Sequence, residues 1–324
     1  MAELLITGAS GFIGGHMVRH LAADPALTVL AGTRDGRRIA GAPGRRIDVR
    51  NEAGLERALA GVDAVVHCAV GDRETTVDGT SALLQAAARA GVRRVVHLSS
   101  IAVYGQATGR VTEATPLVSA EGGGYAHWKA AAEQACKKAQ TEVVILRPTI
   151  VYGPGSRLWV HQLARRILSG RWGTLGAEGE GICNLVHVAD LVGAARAALF
   201  APDAVGRAFN VNGPEQITWN AWFERLAAAI GRPGLPVLPR GRLRQRSLAA
   251  LPVKALVRAL PAARPWFGSW LLCAPAASEL ALYARAATYP TDKAQAQLGW
   301  SPTMPIEEGL ALSVAWLRAE GVVP

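Results

Sequence analysis

Close to its start the chain reads Thr7-Gly8-Ala9-Ser10-Gly11-Phe12-Ile13-Gly14, directly after the apolar run Leu4-Leu5-Ile6. An apolar strand that ends in glycines and continues into a helix aims backbone N–H groups and the helix N-terminus at one place, which suits a pyrophosphate. Because the chain holds 35 glycines, Gly-x-x-Gly-x-x-Gly alone is a weak signal, but here strand, loop and helix follow in the required order. The stretch therefore predicts a dinucleotide-binding turn.

The glycines of this turn have separate expected tasks. Gly8 can adopt backbone angles that other residues avoid, and Gly11 lets the chain approach the phosphates. Gly14 lets the helix predicted over Gly15–Ala23 lie close to the sheet. We accordingly expect the turn to bind a cofactor through Gly8, Ser10, Gly11, Phe12 and Ile13.

Composition bounds the class of protein. The chain has 324 residues, of which 50% are hydrophobic and 19% charged, as in a globular protein with room for two domains. Its four cysteines lie far apart and form no C-x-x-C pair, so neither a zinc site nor a disulfide framework is indicated. Without a signal peptide at the start of the sequence, we expect a cytoplasmic location.

Short apolar runs alternate with helical stretches in the first half of the chain. The sequence predicts strands at Leu4-Leu5-Ile6, Thr28–Thr33, Ala64–His67, Val95–Ser99, Val143–Leu146, Leu185–His187 and Ala208–Val211. Helices are expected at Gly79–Ala90, Tyr125–Lys138, Trp159–Leu168, from Thr218 to Ile230, and from Pro305 to near Glu320. Strands separated by helices imply right-handed βαβ units and a parallel sheet covered on both faces.

The predicted fold class is therefore α/β, with a Rossmann-type doubly wound parallel sheet and a smaller, mostly helical C-terminal substrate lobe. We expect an NAD(P)-binding domain over residues 1–155, with further strands and helices near 185–214, and a substrate lobe over 156–324. Ligands of such sheets bind outside the carboxyl ends of the strands.

Tyr125 and Lys129 lie one turn apart on the same face of a predicted helix. A phenol with a pKa of about 10 is protonated at neutral pH, but a nearby ammonium favours the phenolate, so such a tyrosine can exchange protons. Beside a nicotinamide, this is the acid/base group that hydride transfer requires. Ser100, at the end of a predicted strand, could hold the substrate oxygen. Each feature alone also occurs in ordinary structural settings.

Taken in order, several segments resemble the extended short-chain dehydrogenase/reductases, also described as the NAD-dependent epimerase/dehydratase family. They are the glycine turn, Asp63-Ala64-Val65-Val66-His67-Cys68-Ala69, Ser99-Ser100-Ile101-Ala102-Val103-Tyr104-Gly105, Tyr125-x-x-x-Lys129, Leu146-Arg147-Pro148-Thr149-Ile150-Val151-Tyr152-Gly153-Pro154-Gly155 and Asn184-Leu185-Val186-His187-Val188-Ala189-Asp190. The likeness runs from Leu4 to about residue 220 and returns at Tyr289–Leu317.

The resemblance implies roles for individual residues. Tyr125 is the implied acid/base, Lys129 the group that adjusts its pKa, and Ser100 the ligand of the substrate oxygen. Further cofactor contacts are implied for Arg34, Asp48, Val49, Cys68, Ala69, Val70, Ser99, Pro148, Ile150 and Val151, together with Tyr125 and Lys129. Substrate contacts are implied for Ile101, Asn184 and Arg157, and no metal site is expected.

Two departures from the family pattern narrow the function. Where NAD-preferring members carry an acidic residue at the end of the second strand, this chain has Thr33 followed by Arg34, and a guanidinium accommodates a 2′-phosphate. We therefore expect NADP, with NAD as the alternative if Asp35 takes the acidic position. Ile101 and Ala102 stand where sugar-nucleotide 4,6-dehydratases have Asp-Glu, so dehydration by that route is not expected.

The predicted function is an NAD(P)-dependent oxidoreductase or epimerase that transfers hydride at a secondary alcohol or ketone, with nucleotide-sugars as one substrate class. One alternative is a reductase of a lipophilic ketone, similar to 3β-hydroxysteroid dehydrogenases and dihydroflavonol reductases. A second alternative is an NAD(P)-binding sensor without catalysis. We expect a homodimer.

The net charge of +10 is concentrated in one segment. From Arg225 to Ser278 the sequence has nine basic residues and no Asp or Glu. Pro252, Pro261, Pro265 and Pro275 divide its apolar part into pieces too short to cross a bilayer of about 30 Å. Segment 240–283 could contact an anionic membrane or a lipophilic substrate, form a core with an arginine rim, or bind a diphosphate. Nucleic-acid binding is not expected, because no known DNA-binding module accompanies the charge.

Tryptophans gather in the second half of the chain, at Trp159, Trp172, Trp219, Trp222, Trp266 and Trp270. They fit either the core of the C-terminal lobe or the wall of a lipophilic pocket.

Overall fold

A computed structural model describes residues 1–259 and 271–324. These residues form two compact units. The first unit comprises Met1–Thr149, Val186–Pro214 and Tyr289–Met304, and the second comprises Ile150–Leu185, Glu215–Thr288 and Pro305–Pro324. The assignment of a cofactor domain and a substrate lobe divided at residue 155 stays a prediction.

The first unit is built on a seven-stranded sheet. Its strands are β1 (Ala2–Thr7), β2 (Leu27–Thr33), β3 (Gly44–Arg46), β4 (Ala64–His67), β5 (Arg94–Leu98), β6 (Glu142–Pro148) and β7 (Ala208–Val211). They lie in the order β7-β6-β5-β4-β1-β2-β3, and every adjacent pair is parallel. The order reverses between β1 and β4, which is where such sheets bind ligands.

The helices are α1 (Phe12–Leu21), α2 (Glu52–Leu59), α3 (Gly79–Arg89), α4 (Tyr125–Lys137), α5 (Gln162–Leu168), α6 (Val188–Phe200), α7 (Trp219–Ala229), α8 (Arg240–Ala259), α9 (Ala277–Tyr283), α10 (Asp292–Leu298) and α11 (Ile306–Ala319). In the first unit, residues of α2 and α3 pack with Leu5, Val65 and Val95 of the sheet in one buried cluster.

The predicted α/β class and the doubly wound parallel sheet are confirmed. Each predicted strand is present, although Leu185–His187 forms a short strand outside the large sheet. The edge strand β3 and helix α2 were not predicted. The three residues Gly44, Arg45 and Arg46 carry no apolar pattern, so nothing in their sequence indicates a strand.

The second unit is mostly helical, with a core rich in aromatic residues. Trp172, Trp219, Trp222, Phe223 and Tyr283 are each at most 1% exposed and belong to one cluster. A short antiparallel pair joins Ile182–Cys183 to Ile217–Thr218. For these three tryptophans the core interpretation is correct, whereas Trp266 and Trp270 lie outside the described residues.

Helix α8 corrects one expectation. It continues through Pro252 instead of ending before it. A proline removes one intrahelical hydrogen bond, which an exposed position tolerates, and Pro252 is exposed. Pro261 and Pro265 lie outside the described residues. Among the described residues, no helix is both long enough and apolar enough to cross a bilayer.

Candidate active site

The glycine turn between β1 and α1 has the geometry that its sequence predicts. Gly8 has φ +64°, and a Cβ there would lie 2.9 Å from the backbone nitrogen of Ala69. A Cβ on Gly14 would lie 2.2 Å from the carbonyl oxygen of Gly8, so α1 approaches the strand end as only glycine permits. Ser10 and Gly11 are exposed, and α1 has neither a side-chain cap nor an acidic residue in its first turn. These features fit a bound diphosphate.

His67, at the end of β4, forms side-chain contacts with two neighbouring elements of the site. Thr7 Oγ1 lies 2.7 Å from Nδ1 of the His67 ring, and Thr80 Oγ1 lies 3.0 Å from Nε2. Burial lowers the pKa of His67 to about 3, so the ring is neutral at physiological pH. The ring thereby connects β1, β4 and α3.

Cys68, Ala69 and Val70 follow β4 directly and lie beside the glycine turn. The backbone of Cys68 and Ala69 is what a Cβ on Gly8 would meet. Burial raises the pKa of the Cys68 thiol to about 12, so this cysteine is not a nucleophile. Val70 is 51% exposed.

At the end of β2, Thr33 is buried and Arg34 is exposed. Asp35 accepts a hydrogen bond from the backbone N–H of Arg37 at 3.3 Å. The Thr33 hydroxyl, first, and this amide hold the pKa of Asp35 below its ordinary value. The Asp35 carboxylate is thus engaged within its own loop, while Arg34 is the exposed charge next to the strand end.

The next segment carries Asp48 and Val49. Asp48 accepts hydrogen bonds from Arg50 Nε at 3.1 Å and from Nη2 at 2.9 Å, and these bonds lower its pKa. The charge of Arg34 also contributes to this lowering. Val49 is 5% exposed and packs where α3 begins, since a Cβ on Gly79 would lie 2.7 Å from its Cγ2.

Ser100 and Tyr125 are brought together at the end of β5. Ser100 is extended and accepts a hydrogen bond at 3.2 Å from the backbone N–H of Ala102, which begins the 3₁₀ turn Ile101–Tyr104. Tyr125 is the first residue of α4, after Gly124 with φ +95°. Tyr125 is 46% exposed, and the Ser100 hydroxyl is near enough to its phenol to lower the phenol pKa.

Lys129 is buried and is held at the end of β5. Its Nζ donates to the carbonyl oxygen of Leu98 at 2.6 Å, and the residue is 4% exposed. Burial lowers the pKa of Lys129 to about 8. The pKa of Tyr125 is raised by desolvation and lowered only in part by Ser100. The ammonium is bound to the end of β5 in this structure, and the expectation that Lys129 lowers the Tyr125 pKa stays a prediction.

A buried ion pair behind Lys129 was missed in the sequence. Glu133, one turn further along α4, accepts hydrogen bonds from Arg147 Nε at 2.9 Å and Nη2 at 2.6 Å. Their side chains are 1% and 3% exposed. Ser99 Oγ donates to the same carboxylate at 2.6 Å, so the Ser99 side chain faces this pair and Ser100 carries the available hydroxyl.

The ion pair extends into a longer network. Arg147 Nη1 donates to the Tyr104 hydroxyl at 2.8 Å, and Tyr104 donates to Asn210 Oδ1 at 2.7 Å. The backbone N–H of Asn210 donates to Glu113 at 2.8 Å. The network links α4, β5, β6 and β7. In the sequence, this network shows only as charged residues within a helix and a strand. Such residues usually face solvent, so they do not indicate a buried network.

The remaining predicted residues divide between the units. Pro148 is buried at the end of β6 in the first unit. In the second unit, the Ile150 N–H donates to the Asn184 carbonyl at 3.0 Å, and Asn184 Nδ2 donates to the Ala287 carbonyl at 2.9 Å. Val151 is buried and Arg157 is exposed. The structure brings Ile150 and Asn184 together, and the ligand-binding roles of all these residues stay predictions.

Comparison with known proteins places these observations in a family. The family model described as the NAD dependent epimerase/dehydratase family matches residues 4–212. A UDP-glucose 4-epimerase of Vibrio cholerae is 28% identical, over 71% of this chain and 76% of its own length.

Two similar proteins match almost the whole chain. The sterol demethylase protein B of Methylococcus capsulatus is 29% identical, over 98% of this chain and 99% of its own. The 3beta-hydroxysteroid-dehydrogenase/decarboxylase isoform 2 of Arabidopsis thaliana is 24% identical over 96% of this chain, which spans 61% of that enzyme's length.

Solved structures agree on the fold. A UDP-glucuronic acid 4-epimerase from Bacillus cereus, in complex with NAD, superposes with a TM-score of 0.75 at 20% identity, covering 98% of this chain and 99% of its own. The predicted class of enzyme, an NAD-dependent epimerase or reductase, is confirmed by the relatives. The chain belongs to the NAD-dependent epimerase/dehydratase family, the extended short-chain dehydrogenase/reductases.

Proposed function

We propose that this protein transfers hydride between a nicotinamide cofactor and a secondary alcohol or ketone, with Tyr125 as the acid/base group. The observation that carries the proposal is that Ser100 and Tyr125 lie together at the end of β5, near enough for the Ser100 hydroxyl to lower the Tyr125 pKa. Lys129 links this pair to the glycine turn, because its ammonium lies near enough to Cys68 to influence that thiol. Cys68 in turn lies against Gly8.

The first unit has residues that fit a dinucleotide. The N–H groups of Phe12 and Ile13 at the start of α1 would hold the diphosphate, and Asp48 with Val49 would meet the adenine. The Gly11 N–H donates to the Gly8 carbonyl at 2.9 Å, so Gly11 would contribute by letting the phosphates approach the backbone. Cys68, Ala69 and Val70 would border the ribose and nicotinamide. When bound, the nicotinamide supplies the hydride acceptor or donor.

Ser100 and Tyr125 would hold the substrate oxygen between two hydroxyl groups. Because the pKa of Tyr125 is raised, the phenol keeps its proton at neutral pH in the ligand-free protein. It is therefore poised to protonate a carbonyl oxygen as the ketone is reduced. In the other direction the same oxygen would have to accept a proton, with the Ser100 hydroxyl stabilising the phenolate.

Replacing Tyr125 with Phe tests the proton transfer. We expect turnover to fall about a hundredfold to ten-thousandfold, the usual contribution of a positioned acid or base. Binding of NAD(P)H, followed by its fluorescence, should be retained, because the phenyl ring keeps the shape of the side chain. Ser119→Ala, near the start of α4, is the matched loss of one hydroxyl outside the pair. Unchanged turnover in Tyr125→Phe would contradict the proposal.

We propose NADP as the preferred cofactor. The exposed Arg34 beside the end of β2 supports this, as does the hydrogen bond that Asp35 accepts from the Arg37 amide. Arg34→Ala should weaken NADPH about tenfold or more relative to NADH, because a charge-assisted contact to the 2′-phosphate is lost. Arg38→Ala is the control within the same loop. Equal weakening of NADPH and NADH by Arg34→Ala would refute the preference.

Two substrate classes are supported by different observations. Nucleotide-sugars are supported by the Vibrio epimerase, whose match covers 71% of this chain. A lipophilic alcohol or ketone is the second candidate, because the relatives named for hydroxysteroids and sterols match 96% and 98% of the chain and so include the second unit. Dehydration remains unexpected, since Ile101 and Ala102 carry no acidic group.

Absorbance of the nicotinamide separates the two classes. UDP-sugars would be incubated with the enzyme and NADP⁺, which accepts the hydride when the carbinol is oxidised, and sterol-like ketones with the enzyme and excess NADPH. An epimerase forms product without net change in the NADPH band, whereas a reductase consumes NADPH in proportion to product. The homodimer and the cytoplasmic location stay predictions.

A further inference from the structure

Helix α8 of the second unit has one face fixed in the protein. Leu243 and Ala250 are 0% exposed, and Leu243 belongs to the aromatic core cluster of that unit. Arg246 Nη1 donates to the backbone carbonyl of Arg171 at 2.7 Å. Because a helix advances 3.6 residues per turn, these three positions lie on one side of it. They define the inner face of α8.

The opposite side of α8 carries several exposed apolar side chains together with the exposed Gln245. Leu248, Leu251 and Leu256 are 66%, 60% and 42% exposed. Their spacing of three and five residues places them on one side of the helix, away from the inner face. Pro252 and Ala255 lie between them and are also exposed. We call these five apolar residues the outer face of α8.

Such a concentration is unusual within the described residues. Val237, just before α8, is 66% exposed, so four large exposed hydrophobic side chains fall within residues 237–256. Elsewhere, side chains such as Leu158, Phe200 and Leu312 are exposed one at a time. Single exposed hydrophobic residues need no explanation, but a contiguous apolar surface indicates a binding partner.

Charge identifies the chemistry of that partner. Helix α8 contains six Lys or Arg residues and no Asp or Glu, whereas Arg225, which precedes it, is paired with Glu215 and Glu307. An apolar helix face within a basic, acid-free segment matches a surface of anionic lipid, in which leucines enter the acyl boundary and basic residues meet phosphate groups. We propose that the outer face of α8 binds the surface of an anionic lipid bilayer.

Vesicle co-sedimentation of the full chain tests this proposal. Vesicles of phosphatidylcholine alone would be compared with vesicles containing about one third phosphatidylglycerol, so that anionic lipid gives most of the binding. Leu248→Glu with Leu251→Glu should lower the apparent affinity for the anionic vesicles at least about tenfold, because two carboxylates enter the apolar contact. Raising the salt concentration should weaken binding of the unmodified protein by screening.

Leu158→Glu with Leu312→Glu is the matched control, since it places two glutamates at exposed leucines of the same unit. This variant should retain most of the vesicle binding. Circular dichroism and NAD(P)H fluorescence check that both variants are folded, and they do so independently of lipid. Equal binding to both vesicle types, or unchanged binding by the α8 variant, would overturn the proposal.

Sedimentation velocity without lipid tests the alternative that the outer face of α8 binds a second copy of the chain. If the α8 variant converts a dimer into a monomer, the outer face contacts a second copy of the chain and the membrane assignment is wrong. We expect the oligomeric state to be the same in the unmodified protein and in the variant. Because neither measurement uses catalysis, failure of this proposal leaves the proposed hydride transfer untouched, and the reverse also holds.

Discussion

Both units bury an arginine against a glutamate, and the two pairs are built alike. In the first unit Arg147 bonds Glu133, donates to a tyrosine hydroxyl and lies 5.1 Å from the Tyr104 ring centroid. In the second unit Arg166 bonds Glu279 at 2.8 Å, donates to the Tyr283 hydroxyl at 3.2 Å and lies over the Trp172 ring at 4.6 Å. The chemistry is repeated, but the surroundings differ.

Exposure of the carboxylate is the difference. The Glu133 side chain is 1% exposed, whereas that of Glu279 is 29% exposed. Glu133 also accepts from Ser99, next to the proposed oxygen ligand Ser100. The first pair therefore holds α4 against the strand ends that carry the site. Because both side chains are buried, water does not solvate this pair. The second pair closes the edge of an aromatic core and can be solvated if it breaks.

The largest effect is expected for Glu133→Ala. This substitution leaves the Arg147 guanidinium buried without its partner, which costs about 3–5 kcal/mol of unfolding free energy. Urea unfolding at pH 7 measures it. Glu133→Gln keeps the shape and some hydrogen bonds, and should lose less. A loss below about 1 kcal/mol for Glu133→Ala would mean that water reaches Arg147, and the two pairs would then be equivalent.

Glu279→Ala should have a smaller effect on the same measurement. Because solvent reaches this carboxylate, Arg166 can be partly rehydrated, and we expect a loss of about 1–3 kcal/mol. The backbone N–H of Ala276 and the Tyr283 hydroxyl, which donate to Glu279 at 3.0 and 3.1 Å, also lose their acceptor. If Glu279→Ala costs as much as Glu133→Ala, exposure of the carboxylate is not what distinguishes the pairs.

The same contrast explains which parts of the molecule the sequence could reveal. The glycine turn is predictable because its requirements are local. Gly8 has a positive φ and Gly14 allows a close backbone approach, and few residues other than glycine permit either. Ser100 and Tyr125 were predicted to share a site because strand ends and helix starts converge at one edge of a parallel sheet.

Contacts between distant side chains were not predictable. Glu133 and Arg147 pair across 14 positions between a helix and a strand, where either charge would ordinarily face water. The contact of Lys129 was not predictable for the same reason, since its bond to Leu98 depends on how α4 packs against β5. The outer face of α8 could not be predicted either, because identifying it depends on which side of the helix is buried.

Acid sensitivity offers the finest test of the comparison. Desolvation opposes ionisation of Glu279, but Arg166 and the hydrogen bonds from Ala276 and Tyr283 outweigh it and hold its pKa below the ordinary 4.5. A lowered pKa in the folded state stabilises the protein above the ordinary value, and this stabilisation is lost as the pH falls through and below 4.5. The difference in Tm between the unmodified protein and Glu279→Gln should therefore be present at pH 7 and shrink towards pH 3.

Taking the Tm difference between the two proteins at each pH value removes the contribution of the other carboxylates, which titrate in both. Asp203→Asn, a carboxylate of the first unit that belongs to neither pair, serves as the control and should show no comparable change. A Tm difference for Glu279→Gln that stays constant from pH 7 to pH 3 would show that the ionised carboxylate contributes no more than its hydrogen-bonding shape. The pair of Arg166 and the partly exposed Glu279 would then be a packing contact. Only the fully buried pair of Arg147 and Glu133 would depend on charge.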